Sequence, residues 1–164
     1  MRVDTKKLAM MGLFTALAMI FGYVEAILPI SVGIPGVKLG LANIVVLFAL
    51  YYLKPSEAFL INIVRIILVS FMFGNLSVML YSLAGGVLSF GAMLLLKKSG
   101  KFSVYGVSVA GGVFHNVGQL LVAMLVLETM SFVYYGPVLL ISGVVTGLVI
   151  GIVSSEVIKR IGNH

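Results

Sequence analysis

The chain consists of six apolar runs, separated by short stretches of polar and turn-forming residues. A helix needs about 20 apolar residues to cross a bilayer core, because it rises about 1.5 Å per residue. With 61% apolar and 10% charged residues, the chain lacks the polar surface of a soluble domain. The pattern predicts an all-α integral membrane protein, a bundle of six transmembrane helices forming one domain over residues 1–164. The predicted helices span approximately residues 8–30, 37–53, 56–73, 78–96, 104–129 and 135–158.

The basic residues indicate how this bundle is oriented in a membrane. Nine of them flank the runs on one face of the predicted bundle: Arg2, Lys6, Lys7, Lys54, Lys97, Lys98, Lys101, Lys159 and Arg160. On the opposite face only Lys38 lies near a helix end. The positive-inside rule therefore predicts a multi-pass protein with both termini in the cytoplasm. We expect its location to be a bacterial-type plasma membrane. Because the net charge of +6 comes from these clusters, we do not expect nucleic acid as a partner.

A few polar residues lie deep inside the predicted helices. Arg65 lies about 14 Å from the start of helix 3, next to Asn62, and His115 about 17 Å from the start of helix 5. Such groups usually face a bundle interior or an aqueous cavity, although they can also simply pair with one another or hold helices together. Because they cluster on one side of the midplane, we favour a substrate-binding site. The predicted site comprises Glu25, Lys38, Arg65, His115, Asn116 and Gln119.

Small residues four apart form stripes on three predicted helices, and such stripes let helix backbones approach closely. The stripes are Gly143, Gly147 and Gly151 on helix 6, Gly106 and Ala110 on helix 5, and Gly12 and Ala16 on helix 1. On helices 5 and 6 we expect contacts within the chain. On helix 1, Glu25 lies about 180° around the helix from Ala16, so Gly12 and Ala16 are predicted to form a partner-docking face.

The sequence lacks the patterns that usually accompany catalysis. It has no GxxxxGK[ST] phosphate loop, no HExxH metal spacing, no paired carboxylates and no cysteine. We therefore expect no enzymatic activity, no cofactor and no bound metal. Active transport would need energy from another protein.

Three segments resemble motifs of the Gx transporter family, which is also described as heptaprenyl diphosphate synthase component I. They are residues 35–43 (PGVKLGLAN), 74–86 (GNLSVMLYSLAGG) and 114–119 (FHNVGQ). The family looks like the S components of energy-coupling-factor transporters. The resemblance implies a six-helix bundle that binds a vitamin-like small molecule and is energised by a transmembrane T component and two ATPase subunits. Contacts of the first helix with the T component would fit Gly12 and Ala16.

Two other functions remain open. The chain could be a membrane accessory of prenyl diphosphate or quinone synthesis, although its single aspartate, Asp4, could not alone hold magnesium diphosphate. It could also be an autonomous ion-coupled carrier. Lys38, Arg65 and His115 would suit an anionic or carbonyl-bearing solute, and the sequence does not identify that solute.

Overall fold

The computed structural model describes residues 5–27, 40–128 and 130–162, and every regular element in these ranges is helical. This agrees with the predicted all-α class. The helices are α1 (Thr5–Ile27), α2 (Asn43–Tyr52), α3 (Pro55–Phe73), α4 (Leu76–Ser99), α5 (Val104–Val126), a 3₁₀ helix (Met130–Tyr135) and α6 (Gly136–Gly162).

Residues in the connecting turns explain where three of the helices begin. Pro55 is the first residue of α3, where its missing N–H is not needed for helical hydrogen bonding. The side chain of Asn75 accepts a hydrogen bond from the Val78 N–H at 2.9 Å and so caps α4. Ser103 caps α5 in the same way by accepting from the Gly106 N–H at 3.4 Å. The breaks in the apolar pattern therefore coincide with local signals that start a helix.

Helices α4, α5 and α6 pack with their backbones in close contact. A Cβ atom added at Gly118 of α5 would lie 2.8 Å from the Ala84 carbonyl oxygen of α4. A Cβ atom added at Gly147 of α6 would lie 2.7 Å from the Val109 Cα of α5. Since real Cβ atoms do not approach other atoms so closely, these crossings require glycine. The prediction that the helix 6 stripe packs within the chain is confirmed, because Gly143, Gly147 and Gly151 all lie against α5. At Gly106, in the predicted helix 5 stripe, an added Cβ atom would meet only Phe102 and Ser103 of its own chain segment.

Helix α2 is shorter than the predicted helix 37–53. It begins at Asn43, because Gly40 has a φ of +76° and residues 41 and 42 form a turn; residues 37–39 lie outside the described residues. Its ten residues rise only about 15 Å, half of a bilayer core. Most of its side chains are buried, and Leu47 and Leu50 are completely so. A helix that is apolar on all sides belongs in the interior of a bundle.

Five of the described helical segments are long and apolar enough to cross a membrane. Their outward faces carry large apolar side chains, such as Phe71, Leu95 and Leu125, which are 79%, 71% and 76% exposed. Exposed apolar surface of this extent needs a lipid environment or a protein partner. The structure thus shows an all-helical chain compatible with a multi-pass membrane protein.

Several basic residues lie together at one end of the described bundle. Lys7 of α1 forms an ion pair with Glu57 in the first turn of α3. Lys97 of α4 donates a hydrogen bond at 2.5 Å to the carbonyl oxygen of Leu50, in the last turn of α2. Such a bond satisfies a carbonyl that the end of a helix leaves without a partner. These contacts bring the start of α1 and α3 and the end of α2 and α4 to the same end of the molecule, as the alternating topology requires.

Candidate functional site

Arg65 lies at the centre of a buried network of amide side chains. It is about 15 Å from the start of α3, near the middle of the helix, and only 8% exposed. Its Nη2 donates hydrogen bonds to the Oδ1 atoms of Asn43, at 2.6 Å, and Asn62, at 2.9 Å. Its Nε donates to the same Asn62 Oδ1 at 3.2 Å. These amide oxygens orient the guanidinium group without cancelling its positive charge.

Asn62 also ties this network to α4. Its Nδ2 donates a hydrogen bond at 3.1 Å to the carbonyl oxygen of Gly86. A Cβ atom at Gly86 would lie 2.5 Å from the Ile66 Cδ1 and 3.2 Å from the Asn62 Nδ2. The absence of a side chain at Gly86 therefore allows α3 to approach α4 closely enough for this bond.

Glu25 provides a negative charge on the other side of the site. Its Oε1 accepts a hydrogen bond from the Gly40 N–H at 2.5 Å, which links the end of α1 to the turn before α2. At Gly40 the positive φ and the nearby Asn43 side chain, 2.9 Å from an added Cβ, both favour glycine. The backbone turn at Gly40 thus positions both the Glu25 carboxylate and the start of α2.

Arg65, Glu25 and His115 line one cavity of about 30 Å³. The other residues that line it are Gly22, Gly40, Asn43, Ile66, Val69, Ser70 and Ser82. One water molecule needs about 10–15 Å³ of such volume, whereas small-molecule sites usually measure about 300–1,000 Å³. In this conformation the cavity has room for one small polar group rather than for a whole vitamin.

His115 reaches the cavity through a close contact between α4 and α5. A Cβ atom at Gly85 would lie 2.7 Å from the His115 carbonyl oxygen and 3.0 Å from its Nδ1. His115 is buried and lines the cavity. The cavity therefore combines a guanidinium, a carboxylate, an imidazole and an amide, which suits binding of a polar group by hydrogen bonds.

The other predicted site residues are placed differently. Asn116 donates a hydrogen bond at 2.7 Å to the Leu139 carbonyl oxygen, so it faces α6. Gln119 is buried with its Cγ near Gly85, and neither it nor Asn116 lines the cavity. Lys38 lies outside the described residues. The structure thus brings together three of the six predicted residues.

Gly12 and Ala16, the predicted partner-docking residues, lie on the outer face of α1. Both are exposed, and a Cβ atom added at Gly12 would meet nothing within 4 Å. Ala18, on the inward side of the same helix, is completely buried. No described part of the chain covers this small-residue face.

Asn43, Gly40 and Ser82 belong to the cavity wall but were missing from the predicted site. All three lie within segments that carry the family resemblance. Residues 35–43 supply Gly40 and Asn43, residues 74–86 supply Ser82, and residues 114–119 supply His115. These residues, which are far apart in sequence, lie together in the cavity that Arg65 lines, so the three motifs were the sequence signal for the missing residues.

Comparison with known proteins gives one finding. No curated protein and no solved structure matches the chain. Residues 14–157 match the family model described as "Heptaprenyl diphosphate synthase component I", and this range includes every residue of the Arg65 cavity. Because the match covers most of the sequence, the chain belongs to the heptaprenyl diphosphate synthase component I family.

Proposed function

We propose that this protein is the solute-binding subunit of a membrane uptake system and that its solute is small and vitamin-like. The observation that carries the proposal is the Arg65 cavity. An ionisable group at mid-helix depth is costly in a membrane and is usually retained for function. Here the neutral amides of Asn43 and Asn62 hold the guanidinium in place, and Glu25 is the carboxylate that shares the cavity with it. Such pre-organisation lowers the cost of binding a polar solute.

Uptake against a gradient needs an energy source that the sequence does not contain. The proposal therefore includes a transmembrane T component and two ATPase subunits, with the T component docking on the face formed by Gly12 and Ala16. In this arrangement the bundle crosses the membrane six times, with α2 as a short internal span. Both termini face the cytoplasm, on the side of the basic residues.

Native mass spectrometry of gently purified protein tests the proposed solute binding. We expect the wild-type protein to carry a small molecule that Arg65→Leu loses, because leucine cannot donate hydrogen bonds. Arg65→Lys should retain the molecule weakly, since lysine keeps the charge but lacks the planar fork of donors. Arg160→Leu is the matched control, because it removes an exposed arginine at the end of α6 and should leave the bound molecule unchanged.

Two results would contradict the proposal. One is a wild-type protein that carries no small molecule and does not gain one when incubated with cell extract. The other is an Arg65→Leu protein that unfolds in detergent but carries its molecule as well as wild type while still folded. The second result would make Arg65 a structural residue.

The family description favours a second candidate function, that of a membrane-associated component of heptaprenyl diphosphate synthesis. In that case the chain would assist a separate synthase, because its one aspartate cannot provide an aspartate-rich magnesium site. Prenyl transfer assayed in membranes with and without the chain distinguishes the two functions. Prenyl transfer that depends on the chain, with no solute bound at Arg65, would favour the synthase accessory.

A further inference from the structure

A second cavity adjoins the Arg65 cavity at the turn between α3 and α4. It measures about 180 Å³ and is lined by Ser70, Phe71, Gly74, Asn75, Leu76 and Met79. Ser70 lines both cavities, so the two spaces share one wall of α3. A molecule that extended from the small cavity past Ser70 would therefore lie beside the larger one.

The two cavities differ in chemistry as well as in size. The small one combines charged and polar groups with Ile66 and Val69, whereas Phe71, Leu76 and Met79 give the larger one mainly apolar walls. An apolar cavity of about 150 Å³ is sufficient to bind benzene. The α3–α4 cavity is therefore large enough for several apolar carbon atoms, which the Arg65 cavity is too small to hold.

Distances along α3 fit one molecule that occupies both spaces. Ser70 is about 7.5 Å and Gly74 about 13.5 Å along the helix from Arg65. At the far end Phe71 and Leu76 are largely exposed, at 79% and 68%. The apolar cavity thus opens on the outside of the bundle, among side chains that suit contact with lipid.

We infer that the solute is an amphiphile with an oxygen-bearing anionic head at Arg65 and an apolar chain in the α3–α4 cavity. Among the described residues the Arg65 Nη1 has no hydrogen-bond acceptor, so it can donate to the head, while Nε and Nη2 remain on the asparagines. A guanidinium is well suited to a carboxylate or phosphate. This inference rests on the proposed function and specifies the class of its solute.

Isothermal titration calorimetry in lipid nanodiscs tests the inference with a chain-length series of acetate, butanoate, hexanoate and octanoate. Protein-free nanodiscs provide the blank for partitioning into lipid. Burial of each methylene should tighten binding by up to about fourfold, so affinity should rise steadily along the series. In Met79→Trp the indole should fill the α3–α4 cavity, abolishing this rise and leaving acetate binding unchanged. Leu80→Trp, one residue further on α4 and outside the cavity lining, should keep the wild-type rise.

Binding that does not change with chain length in the wild-type protein would overturn the amphiphile. An equal rise in affinity in wild type and Met79→Trp would also overturn it, since the apolar chain of the ligand would then lie outside the α3–α4 cavity. If acetate binding depends on Arg65 but the longer carboxylates bind no more tightly than acetate, the proposed function remains intact. If no member of the series binds, the inference that the solute is an amphiphile is wrong. The proposed function is then decided separately, by native mass spectrometry of the small molecule that wild type carries and Arg65→Leu loses.

Discussion

The position of the Arg65 guanidinium depends on two asparagine side chains. Asn62 is three residues before it on the same helix, and Asn43 reaches it from the start of α2. A buried arginine without these acceptors would pay the full cost of lost hydration. The two amides therefore contribute to the stability of the fold and to the geometry of the cavity.

Replacement of Asn62 by leucine, a side chain of similar size, removes two hydrogen bonds to Arg65 and one to the Gly86 carbonyl oxygen. We expect a loss of about 1–3 kcal/mol, since buried partners are left unsatisfied. Thermal unfolding in detergent measures this loss. Ile67→Leu, on the outward side of the same helix, should unfold at the wild-type temperature. Equal unfolding temperatures for Asn62→Leu and wild type would show that the network adds no stability.

Spacing along one helix predicts some of this network but not all of it. The pairing of Asn62 with Arg65 follows from their separation of three residues and is confirmed. The contact with Asn43 depends on where α2 begins, and the turn at Gly40 decides that. Asn116 follows His115 directly, so it points about 100° away around α5 and faces α6 instead of the cavity. Sequence spacing places residues on a helix face but does not fix the neighbour that this face meets.

At the scale of elements, glycine determines how closely α5 and α6 approach. An added Cβ at Gly143 would lie 2.9 Å from the Gly112 carbonyl carbon, which is backbone and cannot rotate away. Gly91 of α4 offers a contrast, because an added Cβ there would meet nothing within 4 Å. A methyl side chain would therefore clash with backbone at position 143 but would meet no other atom at position 91.

Alanine substitution at these two glycines should change stability in opposite directions. Gly143→Ala should separate α5 from α6 and lower stability by more than 1 kcal/mol, on the scale of other overpacked sites of about 1–3 kcal/mol. Gly91→Ala should raise it by about 0.5–1 kcal/mol, because alanine favours a helix over glycine. Unfolding temperatures of the two variants provide the measurement. A Gly143→Ala protein as stable as wild type would mean that the helices can move apart at little cost.

At the scale of the whole molecule, the distribution of basic residues predicts which way the bundle faces. Lys7, Lys54 and Lys97 lie at the end of the bundle that the ion pair with Glu57 and the bond to Leu50 help define. We expect reporter fusions at the N-terminus and at the C-terminus both to report a cytoplasmic location. An external signal from one fusion only would require an odd number of spans, with α2 failing to cross, and would contradict the six-span arrangement.

The outer face of α1 gives a prediction about assembly. Under the proposed function, Gly12→Leu combined with Ala16→Leu should stop uptake in cells by blocking the proposed T component, while the purified protein keeps its solute. The structure supports this separation, because Gly12 has open space around it and Glu25 lies on the opposite side of α1. Gly91→Leu is the matched control on another open glycine and should leave uptake normal. Uptake by the double variant at the wild-type rate would remove this face from the partner interface.

Backbone contact among α4, α5 and α6 has a consequence for motion. At Gly118, Gly143 and Gly147 these three helices meet backbone to backbone, with no side chain in between to absorb a displacement at those points. In the transport cycle of the proposed function, we expect them to move as one rigid unit. Helix α1 meets α3 differently, through the Val69 side chain beside Gly22 and the ring of Tyr23 beside that of Phe73. Expansion of the Arg65 cavity around a larger solute should therefore come from rotamer changes and sliding on the side of α1 to α3, against a stationary α4–α6 unit.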